Sequence, residues 1–326
     1  MYKDKKILVT GGTGSFGQRF ISRVVGAYRP RELAVFSRDE LKQFEMREAF
    51  PVESTPVRYF LGDIRDKERL SRVCQGVDIV IHAAALKQVP TAESNPTEVI
   101  KTNILGSENV IEAALENNVE KVIALSTDKA CSPINLYGAT KLASDKLFAA
   151  ANHWQGSHQT KFSVVRYGNV VGSRGSVIPF FKKKLEAGNT IPITDKRMTR
   201  FWITLDEGVE FVLDCLQRMQ GGELFVPKIP SMNIMDLVSA IAPDAELEFV
   251  GIRPGEKLHE VMISRDDAIN TLEYDKYFVI QPARPWWDDP QFCAITGGVP
   301  VDDDFSYASD TNSLWLDADG LRAMCG

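Results

Sequence analysis

Short runs of β-branched and aliphatic residues alternate, through the first half of the chain, with longer stretches whose apolar positions recur about every 3.6 residues. The short runs predict strands over 6–10, 32–37, 57–61, 78–83, 121–126 and 162–167. The clearest helical periods cover about 17–25, 98–117 and 137–151. Strand and helix in strict turn imply successive βα units, hence an α/β fold with a doubly wound parallel sheet. After Arg166 the texture changes. Loops or short strands over 172–179, 191–199, 227–232 and 251–257 separate helices at about 179–187, 204–217, 235–242 and 256–261. That reads as a smaller α/β cap on the first unit.

Composition narrows the class without naming a function. With 326 residues, 44% hydrophobic and 25% charged, the chain can bury a large core as one large domain or two intimate ones. No apolar stretch reaches the roughly 18 residues of a membrane helix, and the run Ile7-Leu8-Val9 breaks at Gly11-Gly12, too early for a signal-peptide core. A soluble cytoplasmic protein with no membrane partner is expected. The five cysteines, Cys74, Cys131, Cys215, Cys293 and Cys325, are scattered and form no paired motif, so neither disulfides nor zinc are indicated. His82 at a strand end, His153 and His158 flanking a helix terminus, and His259 on a helix share no ligand spacing; all four read as structural, and no metal is expected. A net charge of −6 offers no field for nucleic acid. The charge is unevenly spread: residues 285–326 carry eight aspartates against Arg322 alone, leaving the rest nearly neutral. Trp286, Trp287 and Trp315 make that acidic segment too aromatic for a disordered tail, and packing or subunit contact is its expected role.

Thr10-Gly11-Gly12-Thr13-Gly14-Ser15-Phe16-Gly17 follows the first predicted strand and opens a helix, the context in which a glycine pattern signals a dinucleotide. Glycines 11, 14 and 17 allow a tight turn, close backbone approach to a pyrophosphate and close helix packing, while the helix N-terminus offers N–H groups. Ser37-Arg38 after the second strand suits the 2′-phosphate of NADP, although Asp39 and Glu40 leave a ribose-binding, NAD-type register open. Asp63, after Gly62 at the end of the third strand, reads equally as an acceptor for the adenine amine or as a helix N-cap.

Tyr137 and Lys141 stand four residues apart, hence on one face of a helix. A lysine cation beside a tyrosine of pKa about 10, aided by a positively charged nicotinamide, can make the phenol a base toward a hydroxyl. Thr127, about ten residues upstream at a strand end, can hydrogen-bond the same substrate oxygen. Asp128 and Lys129 follow at the carboxyl end of a parallel strand, where α/β active sites gather. Hydride exchange alone needs no such pair. Elimination of water from adjacent carbons needs both a base for one carbon and an acid for the leaving hydroxyl.

The Thr-Gly-x-x-Gly-x-x-Gly turn with the Tyr-x-x-x-Lys pair resembles the extended short-chain dehydrogenase/reductase family. Within it, Ser126-Thr127-Asp128-Lys129 and the phrase running to Leu147 resemble the UDP-N-acetylglucosamine 4,6-dehydratases that begin pseudaminic acid synthesis, over most of the chain from Leu8 to about Pro282. The resemblance implies a Rossmann-type NADP-binding domain over 1–166, a mainly UDP-sugar-binding domain over 167–284 whose interleaving with the first is left open, and the acidic segment 285–326. It implies cofactor contacts from Gly11, Thr13, Gly14, Ser15, Phe16, Gly17, Ser37, Arg38, Lys42, Asp63, Ile64, Ala83 and Ala84, besides Tyr137 and Lys141. Lys87 and Asn169 would contact the sugar nucleotide, Arg200 and Arg253 its diphosphate, Glu256 its ribose, and Asn103 would support the catalytic helix. It further implies Lys129 as base at C5, Asp128 as acid at O6, inversion at C5, and a homo-oligomer, hexamer or dimer. A UDP-sugar 4-epimerase, a simple dehydrogenase and a non-catalytic NADP-binding protein stay open as rivals on the same fold.

Overall fold

The computed structural model describes residues 2–154, 156, 158–173, 176–188, 190–282 and 297–325. Six parallel strands, β1 (Lys6–Thr10), β2 (Glu32–Ser37), β3 (Val57–Leu61), β4 (Ile79–His82), β5 (Lys121–Thr127) and β6 (Lys161–Tyr167), lie in the order β3-β2-β1-β4-β5-β6. Along β1 the side chains alternate between two cores. Ile7 and Val9 pack with Phe20, Ile21 and Val24 of the helix Ser15–Ala27, while Leu8 packs with Leu70, Ile111 and Phe148 on the opposite face. Burial on both faces explains the near-continuous apolar strands, and it leaves the crevice between β1 and β4 as the point where strand order reverses.

The chain beyond β6 contributes to both lobes. β7 (Asn169–Val170), β9 (Thr199–Ile203) and β11 (Ser231–Asn233) form a small sheet, and β8 (Thr190–Ile193) pairs with β12 (Glu246–Phe249). Their core centres on Ile191, Trp202 and Leu237. β10 (Leu224–Pro227) returns to lie parallel beside β6; antiparallel to it run β15 (Tyr277–Ile280), β14 (Thr271–Glu273) and β16 (Val299–Pro300), completing ten strands among the described residues. β13 (Val261–Ile263) pairs with β17 (Tyr307–Ala308). Past β17, Ser231 bridges to Trp315, and the helix Ala318–Cys325 places Leu321 in the smaller core. The described end of the acidic segment thus packs on the smaller lobe, whereas Trp286, Trp287 and Cys293 lie outside the described residues. No helix among the described residues is long and apolar enough to cross a membrane.

Two expected helices take another form. The helix expected over 98–117 divides into Pro96–Ile100, a π-helical turn Lys101–Leu105 and Gly106–Glu116. The helix expected over 256–261 does not form. Arg200 takes the carbonyls of Lys257 and Leu258 sideways, Leu258 also accepts from the Thr199 N–H, and Gly251 and Gly255 hold positive φ. Those carbonyls are spent across the chain rather than along it, so His259 sits in a bend with Nδ1 2.8 Å from Thr199 Oγ1.

Candidate active site

The β1 turn is built as a cradle. Gly11 has φ +66° and a side chain there would meet the Ala84 backbone N at 2.8 Å; a side chain on Gly17 would lie 2.5 Å from Gly12. The helix that follows has Gly14 as N-cap, no capping side chain and no acid in its first turn, so its N–H groups and positive end face the crevice. These features fit a dinucleotide pyrophosphate. A cavity of about 710 Å³ runs from this turn past the ends of β2, β3, β4 and β5. Thr13, Ser15 and Phe16 line it beside the glycines; Ser37, Arg38, Lys42, Asp63 and Ile64 line one end. Ala83, Ala84 and Lys87 line the floor after β4, and Thr127, Lys129, Tyr137, Lys141 and Asn169 the other end.

At the β2 end, Thr13 Oγ1 and Ser37 Oγ are 2.8 Å apart. Asp39 caps the helix Glu40–Ala49, accepting from Lys42 N, and pairs with Lys42 Nζ at 2.6 Å. Asp63 is not an N-cap; Asp66 caps the helix Lys67–Cys74 instead. Burial pushes the Asp63 carboxyl up, but hydrogen bonds from Arg65 and the Arg38 guanidinium 3.7 Å away outweigh it and hold the group below the usual range.

The catalytic end rests on the helix Leu136–Ala151, capped by Asn135, whose side chain accepts from Gly138 N at 2.7 Å. Asn103, on the π-helical turn, donates to Thr140 Oγ1 at 3.0 Å and bonds both backbone groups of Leu86 at 2.9 Å, tying that helix to the cavity floor. Burial pushes the Tyr137 phenol up to about 12, against the lowering pull of the Lys129 cation and of Thr127. Burial pushes the Lys141 ammonium down, partly offset by Asp145. Asp145, one helical turn on, accepts from Ser126 Oγ at 2.8 Å and from the buried Arg166 at 3.2 Å.

β5 ends at Thr127, and a 3-10 turn, Asp128–Ala130, follows. Thr127 Oγ1 donates to Asp128 Oδ1 at 2.9 Å, and Lys129 Nζ lies 3.0 Å from the same oxygen. Asp128 is fully buried, with Oδ2 lacking a hydrogen-bond partner. Burial pushes its carboxyl up, but Lys129 and Thr127 outweigh it and hold it below the ordinary value. Burial likewise pushes the Lys129 ammonium down, and Asp128 and Glu260 outweigh it and raise it. The resting pair is carboxylate and ammonium.

Arg200, Arg253 and Glu256 are not on the cavity lining. They form an adjoining cluster: Arg253 pairs with Glu256 through two bonds of 2.9 Å, and Arg200 Nη2 stands 3.7 Å from Glu256. Arg200 spends most of its donors on the carbonyls of Thr199, Lys257 and Leu258. Sequence reasoning missed Tyr167, which ends β6 in register with Thr127 of β5 and lines the cavity, and Glu260, buried against Lys129.

The profile of the family described as polysaccharide biosynthesis protein matches residues 7–282. A Campylobacter jejuni (serotype O:2) protein named UDP-N-acetylglucosamine 4,6-dehydratase (inverting) is 58% identical over 320 residues, 97% of this chain and 95% of that one. A Rickettsia canadensis protein named UDP-glucose 4-epimerase is 40% identical over 86% of this chain and 84% of its own. The X-ray structure of Pen from Bacillus thuringiensis superposes with a TM-score of 0.90 at 35% identity, covering 99% of this chain and 98% of that one.

Proposed function

The chain belongs to the polysaccharide biosynthesis protein family of extended short-chain dehydrogenases/reductases, and from that premise we propose that it is an inverting UDP-N-acetylglucosamine 4,6-dehydratase, a hydro-lyase using NADP. The observation that carries the reading is the Asp128–Lys129 pair, 3.0 Å apart, in which Lys129 lines one end of a dinucleotide cavity with Tyr137 and Asp128 lies buried behind it. Arg38 and Lys42 at the opposite end supply positive charge for a 2′-phosphate, and Asp39, spent on its helix cap and on Lys42, is a poor ribose acceptor. When bound, the dinucleotide would supply a hydride acceptor for C4 and donor for C6 of the sugar, and a positive charge that favours the Tyr137 phenolate.

Tyr137 as phenolate takes the O4 proton, with Thr127 within reach of the same oxygen. The 4-ketone makes C5–H acidic. Elimination then needs a neutral amine and a carboxylic acid, and one proton passing from Lys129 Nζ to Asp128 over 3.0 Å supplies both. Lys129 takes the C5 proton, Asp128 protonates the departing O6 hydroxyl as water, and the ion pair is restored. C5 regains a proton from solvent on the opposite face. The product is UDP-2-acetamido-2,6-dideoxy-β-L-arabino-hex-4-ulose. Arg253 and Glu256 receive diphosphate and ribose by parting from each other, and Lys87 and Asn169 face the sugar.

The 40% identity to a protein named as a 4-epimerase keeps that activity as the second reading. Incubation with UDP-N-acetylglucosamine in deuterated water, followed by mass and proton NMR, decides between them. A product lighter by one water, with a C6 methyl and deuterium at C5, is expected. Unchanged mass with the galacto configuration would replace the dehydratase by the epimerase.

A further inference from the structure

Glu260 is 2% exposed, and its Oε2 has no hydrogen-bond partner among the described residues. A carboxylate taken out of water at that depth is costly unless cations surround it. Three do: Lys129 Nζ lies 3.3 Å from Oε1, Arg200 Nε 3.9 Å from Oε1 and Lys257 Nζ 3.9 Å from Oε2. The backbone there is pinned from the far side. Glu260 N donates to Ser309 Oγ at 2.9 Å, Ser309 N donates to the Glu260 carbonyl at 2.8 Å, and Ser309 Oγ lies 2.7 Å from Thr199 Oγ1. Two of the three cations have other anchors. Arg200 is tied to three backbone carbonyls, and Lys257 Nζ donates to the Cys131 carbonyl at 2.6 Å. Among the described residues the partners of Lys129 Nζ are carboxylates, Asp128 on one side and Glu260 on the other.

We propose that Glu260 is a positioning residue for elimination: its buried carboxylate aims the Lys129 amine into the cavity and sets how readily that amine yields its proton to Asp128. This rests on the dehydratase reading above. Facing Lys129 are Asp128 on its own turn, Glu260 ahead of β13, Arg200 on β9, Lys87 after β4 and Tyr137 on the catalytic helix. Of these, only Asp128 and Glu260 hold the ammonium charged, so losing one charge lowers the proton affinity of Lys129.

The test is deuterium incorporation at C5 of UDP-N-acetylglucosamine as a function of pH, for the full-length wild type, Glu260→Gln and Glu260→Asp. The alkaline limb, where the Asp128–Lys129 pair loses the proton it shares, is expected about 1 pH unit or more lower for Glu260→Gln than for the wild type, with a larger fall in kcat than rise in KM. Glu260→Asp, which keeps the charge but withdraws it by one methylene, shifts the limb the same way by less, and it serves alone if the Gln variant does not fold. In parallel, protein labelled with ¹³C at lysine Cε, with Lys129→Gln identifying the resonance, reports the titration of Lys129 without turnover. A lowered Lys129 midpoint in the variants supports the role. Rates that fall while limb and midpoint stay put would overturn it. Absence of C5 exchange in the wild type counts against the dehydratase reading instead, and the lysine titration then judges Glu260 by itself.

Discussion

Gly138 packs directly onto the main chain of Lys129: a Cβ at position 138 would collide with the Lys129 carbonyl oxygen and come within 3.0 Å of Pro133. The Tyr-Gly step is thus part of the site's construction, since it lets the helix bearing Tyr137 and Lys141 seat against the turn bearing Asp128 and Lys129.

Gly138→Ala is therefore expected to push these two elements apart. Overpacking at such a contact costs about 1–3 kcal/mol, visible as a lower denaturation midpoint, and turnover should fall by more than the remaining folded fraction explains. An alanine variant with wild-type activity would show that the two elements need not touch.

Asp128 and Lys129 are separable by what each does to the sugar. Lys129→Met should abolish deuterium incorporation at C5, whereas Asp128→Asn should slow loss of water; each should cost about 10²–10⁴-fold in product formation. NMR of the sugar after incubation in deuterated water reads both. If exchange at C5 survives in Lys129→Met, Lys129 is not the base.

The parallel half of the fold was legible because a sheet buried on both faces writes itself as apolar runs, and β1, β2 and β3 end where those runs end. The glycine turn and the Tyr137–Lys141 face were legible because their geometry is local. What stayed hidden depends on contacts between distant positions. Glu260 lies in Leu-His-Glu before an apolar triplet, a pattern that reads as helix, yet its partners Lys129 and Arg200 come from the turn after β5 and from β9. The same distance effect hid the fate of Arg200, whose guanidinium looks free for diphosphate in the sequence but is bound to carbonyls of the loop segment it prevents from coiling. Asp63 failed as a cap for a simpler reason: Asp66, three residues on, occupies that place.

Arg38 bears on the choice of dinucleotide. Its guanidinium is exposed at the cavity mouth and only loosely paired with Asp63 at 3.7 Å. A charge-assisted contact with a 2′-phosphate is worth about 1.5–3 kcal/mol, so Arg38→Ala should weaken NADP binding roughly 10- to 100-fold and leave NAD binding nearly unchanged. Calorimetric titration with both dinucleotides measures this. Equal losses for the two would remove Arg38 as the discriminator.

His82 gives a pH signature of stability rather than of catalysis. Its ring is buried at the end of β4, with Nδ1 2.8 Å from Thr10 Oγ1 and Nε2 3.4 Å from Ser107 Oγ. Burial first, and the nearby Lys141 cation second, push the imidazole down to about 3. An unfolded histidine titrates near 6.5, so the folded protein binds fewer protons than the unfolded chain between those values. Stability from this group is complete above pH 6.5 and is lost as the pH falls toward 3, by up to about 1.4 kcal/mol per pH unit. His82→Gln keeps a neutral polar side chain and has nothing to titrate. Between pH 7 and 5, unfolding by urea should show the wild type losing roughly 2 kcal/mol more than the variant, whatever their absolute stabilities. Parallel losses would mean that His82 accepts its proton in the folded state, and the neutral imidazole between Thr10 and Ser107 would have to be abandoned.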